Sequence, residues 1–216
     1  VDDAVDSGTS LDHEHETAGT FELCHQCFWG VGTEDALALS AALQKIVYLG
    51  SCTVVYCHAE TVVGHIEDEV LAHDGQADEA DLVERLVADG DVVLELVAER
   101  DGDVRGHVLF SRLRVVREGN DLPAVALAPV AVDPDHQREG IGTELVREGH
   151  LRLMAEHETL SGVLGDPTYY GRFGYAHDRA ACFESAYQCD ALQAIAFEPD
   201  APADGRLVYP RAFGAL

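Results

Sequence analysis

Residues 136–142, "HQREGIG", stand where a run of alternating apolar residues gives way to a helical pattern. Glycines at such a junction let backbone N–H groups approach a ligand closely, and the start of a helix carries partial positive charge. The chemistry suited to Gln137, Arg138, Gly140 and Gly142 is therefore the binding of a phosphate. Both common nucleotide motifs are excluded. A P-loop needs four residues between its glycines and then Lys-Ser or Lys-Thr, and a dinucleotide fingerprint needs a third glycine where Leu145 stands. A tight turn with no ligand is the other reading of Gly-x-Gly here.

The flanking elements follow from periodicity. "DEADLVERLVADGD" reads as an amphipathic helix with Asp78 as N-cap, Leu82, Val83, Leu86 and Val87 on one face, and Gly90 as the stop. "VVLELVAERDGDVRGHVLF" reads as two strands around an Asp101-Gly102 turn, and "EGND" marks the next break. A third run, "AVALAPVAVDP", ends at Pro134, after which Ile141, Leu145, Gly149 and Leu153 recur four apart, as in a helix packed on a sheet. A short strand "GVLGD", the aromatic turn "PTYYGRFGY", an apolar run "DALQAIAFEP" and "GRLVYP" complete the chain. The fold class is α/β, with a mixed, mostly antiparallel sheet flanked by helices, because the hairpins are too tight for parallel crossovers.

The ordered combination resembles the GNAT-family N-acetyltransferases. "LAPVAVDPDHQREGIGTELV" looks like their acetyl-CoA segment, with Gln137, Gly140 and Gly142 on its signature. "LVAERDGDVRGHVLFS" looks like their central hairpin, and "VLGDPTYYGRFGY" like their fifth strand and following helix. The nearest likeness is to a bacterial and archaeal subgroup carrying "GDPxYYxRFGF" and a C-terminal "YPxAF", here "YPRAF" at 209–213.

The resemblance implies the GNAT acyl-CoA N-acyltransferase fold, in which the fourth and fifth strands splay apart. It implies acetyl-CoA as cosubstrate, with the pantetheine arm beside Val130, Ala131 and Val132. The diphosphate would rest on the amides of Arg138, Glu139, Gly140, Ile141, Gly142 and Thr143, and a backbone N–H near Val132 would polarise the thioester carbonyl. Glu139 stands where the family usually has small or basic residues, so its carboxylate is expected to point away from the diphosphate. The family's proton donor falls on Tyr170; a phenol with a pKa of ~10 stays protonated at neutral pH yet lies near a thiol. An aromatic pair with Tyr169, packed in the core, is the other reading of Tyr170. No covalent intermediate is needed, since a neutral amine attacks the thioester directly. The strand over 124–132 carries no acid, and neither His107 nor His136 is assigned as a base.

Composition changes near residue 75. Residues 1–75 form an acidic segment holding Cys24, Cys27, Cys52 and Cys57 and a single basic residue, Lys45; every arginine, from Arg85 on, falls in the acetyltransferase-like part, 76–216. Three readings of the first part stand open. "CHQC" with "CTVVYC" supplies four thiolates for zinc, "CHQC" is a redox pair, or the segment folds poorly, in a chain that opens on Val1 and has its one Met at 154. The favoured expectation is no metal and reduced thiols throughout. "DALALSAALQKIVYL" reads as a helix whose apolar face would pack on the sheet or on a second copy, making a homodimer.

With 40 Asp plus Glu against 14 Lys plus Arg, the chain lacks the clustered cations that nucleic acids require. So much acid suits a surface bathed in concentrated salt. No run reaches the ~18 apolar residues of a membrane helix, and the start lacks a signal peptide's order, so a soluble cytoplasmic protein is expected. The acceptor is an amine of a small molecule or a peptide N-terminus. The rival is a catalytically silent CoA-binding sensor, with or without zinc in its first segment.

Overall fold

Asp101 and Gly102 both take positive φ (59° and 92°), as do Glu118 and Gly119 (52° and 80°). Paired left-handed residues make two-residue turns whose twist matches the flanking strands, so the middle of the chain folds into a meander. The structure, a computed structural model, describes residues 46–49, 52–56 and 77–215, with side chains from Glu79 to Gly214. In it β1 (Ile46–Leu49), β2 (Cys52–Tyr56), β3 (Val92–Arg100), β4 (Asp103–Arg117) and β5 (Asn120–Val132) are successive antiparallel neighbours. Beyond β5 lie β6 (Leu160–Leu164), parallel to it, and β8 (Leu192–Ala196), antiparallel to β6. The short β7 (Phe183–Glu184) pairs with β9 (Gly205–Val208), which joins the end of β4 past the reach of β3. The sheet is mixed and mostly antiparallel, as the tight turns required.

Period-two alternation divides the core between two faces. Leu94, Leu96 and Ala98 of β3, with Val108 and Phe110 of β4, pack under α2 (Ile141–Ala155). Val97 and Leu109 point the other way, onto Leu82, Val83 and Leu86 of α1 (Ala77–Asp89). Ile141, Leu145, Gly149 and Leu153 of α2 are all buried, which bears out the four-residue spacing. At Gly149 a Cβ would come within 2.5 Å of Phe110, so the glycine is what lets the helix settle on β4. Burial of each such Leu or Phe is worth roughly 1.5–3 kcal/mol.

Two local expectations are corrected. Helix α1 already begins at Ala77, so Asp78 lies inside it and not before it; Gly90, at φ 73°, does end it. The helix expected over 35–49 does not extend to its end, since Ile46–Leu49 is a strand paired with β2; this β-branched and aromatic tetrapeptide follows strand preference. The rest of that stretch, with Cys24, Cys27 and Cys57, lies outside the described residues. Among the described residues no helix is long and apolar enough to cross a membrane, and no group of three His, Cys, Asp or Glu could hold a metal.

Candidate active site

The parallel pairing of β5 with β6 covers only Val125–Leu127 opposite Ser161–Val163. Ala128 and Pro129 fall at a bulge without β4 partners, and Val130 to Val132 pair with β4 again. Among the described residues the other edge of this stretch is unpaired and faces the gap, where Pro129 has no N–H to offer. That opening is the splay expected between the family's fourth and fifth strands.

At the end of β5 the chain makes a short turn. Pro134 starts a 3₁₀ turn over Pro134–His136, and Asp133 holds it by accepting a hydrogen bond from the Asp135 amide at 3.0 Å. Arg105 donates to Asp133 at 2.9 Å, and the Gln137 side chain donates to the Val132 carbonyl at 3.3 Å. Arg138 and Gly140 then take left-handed φ of 65° and 96°, and α2 begins with no side-chain cap. Among the described residues the first-turn amides therefore have no side-chain cap, and they border the gap in a geometry of the kind that can hold an anion.

The gap is a cleft of about 770 Å³ whose walls include Val130, Val132, Gln137, Arg138, Gly140, Ile141, Gly142 and Thr143 from this side. The other wall is α3 (Pro167–Tyr170) and the 3₁₀ turn Gly171–Phe173, bringing Tyr169, Tyr170 and Arg172. Asp166 caps α3 by accepting from the Thr168 amide at 2.8 Å. Two arginines against one aspartate make the lining locally cationic in a chain of net charge −26.

Two of the residues singled out in the sequence do not line it. Ala131 turns its side chain into the α1 face of the core, leaving only its backbone toward the gap. Glu139 is bound by Arg100 of β3, with His136 Nδ1 at 3.6 Å, and the Arg100 hydrogen bond holds its carboxyl below the usual range.

Tyr170 is half-buried, its ring packed edge-on against Tyr169 (4.9 Å between centroids) and Tyr175 (6.0 Å). Gly165 makes room for it, since a Cβ there would run into the ring. Burial, with Tyr169 and Glu79 nearby, pushes its phenol above the ordinary value, so it stays protonated at neutral pH. Tyr175 supports the ring from below: its hydroxyl lies 2.7 Å from Ser161 Oγ and 3.1 Å from His150 Nε2. Arg172 went unassigned in the sequence; its guanidinium sits 4.4 Å from the Tyr169 ring centroid and faces the cleft.

The family model described as "Acetyltransferase (GNAT) domain" matches residues 60–177. The chain belongs to the GNAT acetyltransferase family. Its GNAT relatives include the uncharacterized N-acetyltransferase YhbS of Escherichia coli K12, 40% identical over 134 residues that cover 58% of this chain and 79% of the relative. YjhQ of the same organism, also an uncharacterized N-acetyltransferase, is 39% identical over 124 residues, covering 51% and 67%. Among solved structures, a GNAT acetyltransferase from Brucella melitensis in complex with acetyl-CoA superposes with a TM-score of 0.61 at 33% identity, over 75% of this chain and 97% of that one. YhbS from Escherichia coli in complex with CoA gives a TM-score of 0.69 at 28% identity, over 79% and 96%. The mixed sheet flanked by helices is the GNAT fold.

Proposed function

We propose that this chain transfers the acetyl group of acetyl-CoA directly to an amine of a small molecule or a protein N-terminus. The observation that carries the reading is the convergence, in one cleft, of an unpaired strand edge, uncapped helix amides and a protonated phenol. The two GNAT structures with CoA or acetyl-CoA bound support it.

In this reading the edge from Val130 to Val132 receives the pantetheine arm as an added strand would, through backbone groups that otherwise lack a partner. The amides of Arg138 to Thr143 hold the diphosphate, and Arg138 adds a cation at the mouth. A backbone N–H near Val132 polarises the carbonyl as negative charge develops on its oxygen. Tyr170 then gives its proton to the departing thiolate. Its hydroxyl has no hydrogen-bond partner among the described residues that would compete for that task.

Titration calorimetry with CoA, paired with a thiol-release assay over a panel of amines, tests this. Binding with release of thiol is expected. A folded protein indifferent to CoA overturns the reading, and tight binding without release for any amine makes the chain a sensor instead.

A further inference from the structure

A second cavity, of about 290 Å³, lies across the splay from the first and shares Val130 and Tyr170 with it. Its far wall comes from the C-terminal part of the chain: Tyr187, and Tyr209 and Phe213 of the "YPRAF" stretch. The three rings brace one another, with Tyr187 and Tyr209 edge to face at 5.0 Å and Tyr209 and Phe213 at 5.6 Å. Their polar tips are turned to the protein. The Tyr187 hydroxyl donates to the Phe213 carbonyl at 3.0 Å, and the Tyr209 hydroxyl accepts from Ser185 at 3.5 Å. What faces the cavity is therefore ring surface, continued by the half-exposed Leu164.

Against that apolar wall stands one charged side chain among the described lining residues, Glu79. It occupies the first position of the α1 stripe, ahead of Leu82, Val83 and Leu86, where a helix packed on a sheet would ordinarily carry an apolar residue. Its Oε2 is shut off from water and has no hydrogen-bond partner among the described residues. Leaving a buried carboxylate oxygen unpaired is costly, so a ligand that brings a donor to it would be favoured. Burial raises its pKa, against the lowering pull of His107, and so makes the carboxylate a better base.

We infer that this cavity binds the acceptor, an amine carried on a small ring-sized apolar body, with Glu79 meeting its ammonium beside Tyr170. The inference rests on the acetyltransferase reading and deepens it. The proton balance closes. Glu79 takes one proton from the bound ammonium and passes it to solvent; the neutral nitrogen attacks the acetyl carbonyl. The C–N bond forms, the C–S bond breaks, the nitrogen sheds its second proton to solvent, and the thiolate takes one from Tyr170, which solvent replaces. One proton is released per acetamide and free thiol formed.

The probe is phenethylamine, compared with ethanolamine and spermidine as polar amines and with 2-phenylethanol as the uncharged ring. Phenethylamine should give the highest kcat/KM, and Glu79→Gln should lower it by at least about ten-fold while calorimetric CoA affinity is unchanged. Glu79→Asp should recover part of the loss. A preference for the polar amines, or full activity in Glu79→Gln, overturns the inference. Should CoA itself fail to bind, the acetyltransferase reading falls, but saturation-transfer NMR on the protein alone still decides this point. Phenethylamine bound better than phenylethanol, with the difference lost in Glu79→Gln, sustains it; equal binding refutes it.

Discussion

The hydroxyl of Tyr169 hangs over Gly142, so close that a Cβ built on the glycine would lie 2.7 Å from it and 3.3 Å from Val132 Cγ2. The first turn of α2 and the aromatic wall thus meet at a residue without a side chain. This contact narrows the cleft at the uncapped amides, and a methyl group placed there would stand between them and any anion.

Gly142→Ala is therefore expected to weaken CoA binding by about ten-fold or more, since the methyl group covers the amides and pushes Tyr169 aside. Stability should change little, because alanine is favoured over glycine inside a helix by ~1 kcal/mol and offsets part of the clash. Calorimetry and a thermal melt on the same sample separate the two effects. A variant that binds CoA as tightly as the parent would show that the diphosphate does not lie over Gly142.

Tyr170→Phe keeps the ring and its edge-on contacts with Tyr169 and Tyr175 and removes only the hydroxyl. Loss of a positioned general acid costs roughly 10²–10⁴ in rate, so kcat should fall by about 100-fold or more. CoA affinity and the melting temperature should stay put. A fall in stability with normal turnover would return Tyr170 to a packing role.

Much of the fold is legible in the residue pattern itself. Asp101-Gly102 and Glu118-Gly119 announce their turns because few residue pairs tolerate successive left-handed φ, and the spacing of Ile141, Leu145, Gly149 and Leu153 admits only a helix against a sheet. Glu79 was not legible, although it breaks the apolar stripe of α1, because it is one acid among 40 and periodicity cannot say what lies opposite. Nor could the wall formed by Tyr187, Tyr209 and Phe213 be read, since β7, β8 and β9 bring it to the splay over long separations. The residues 46–49 failed for the opposite reason: a helical pattern continued into a tetrapeptide that pairing with β2 made a strand.

Glu139 is the departure from family habit that the structure accounts for. Arg100 of β3 binds its carboxylate, and Glu139 is not among the residues that line the cleft. Glu139→Gln should accordingly alter CoA affinity by less than about three-fold at low salt, as expected for an exposed pair of small net worth. Marked tightening in the titration would mean that the carboxylate faces the diphosphate after all.

His150 ties the site to the stability of the whole domain. Its ring is enclosed by Phe110, Phe173, Tyr175 and Phe197, and burial lowers its pKa from 6.5 to about 4. Between those values the unfolded chain takes up a proton that the folded chain refuses, so stability is complete above pH 6.5 and is lost as pH falls toward 4. From pH 7 to pH 5 this one group should remove about 2 kcal/mol. Urea unfolding at both pH values, in the parent and in His150→Gln, isolates its share, because acidic groups common to both proteins cancel in the difference. The variant should lose less stability on acidification by about that amount. It should also loosen Tyr175, which shares its hydroxyl with Ser161 and His150, and through that ring the seat of Tyr170. A parent and variant with parallel losses would show that His150 takes up its proton in the folded protein as readily as in the unfolded chain, and that the aromatic cage around it is wet.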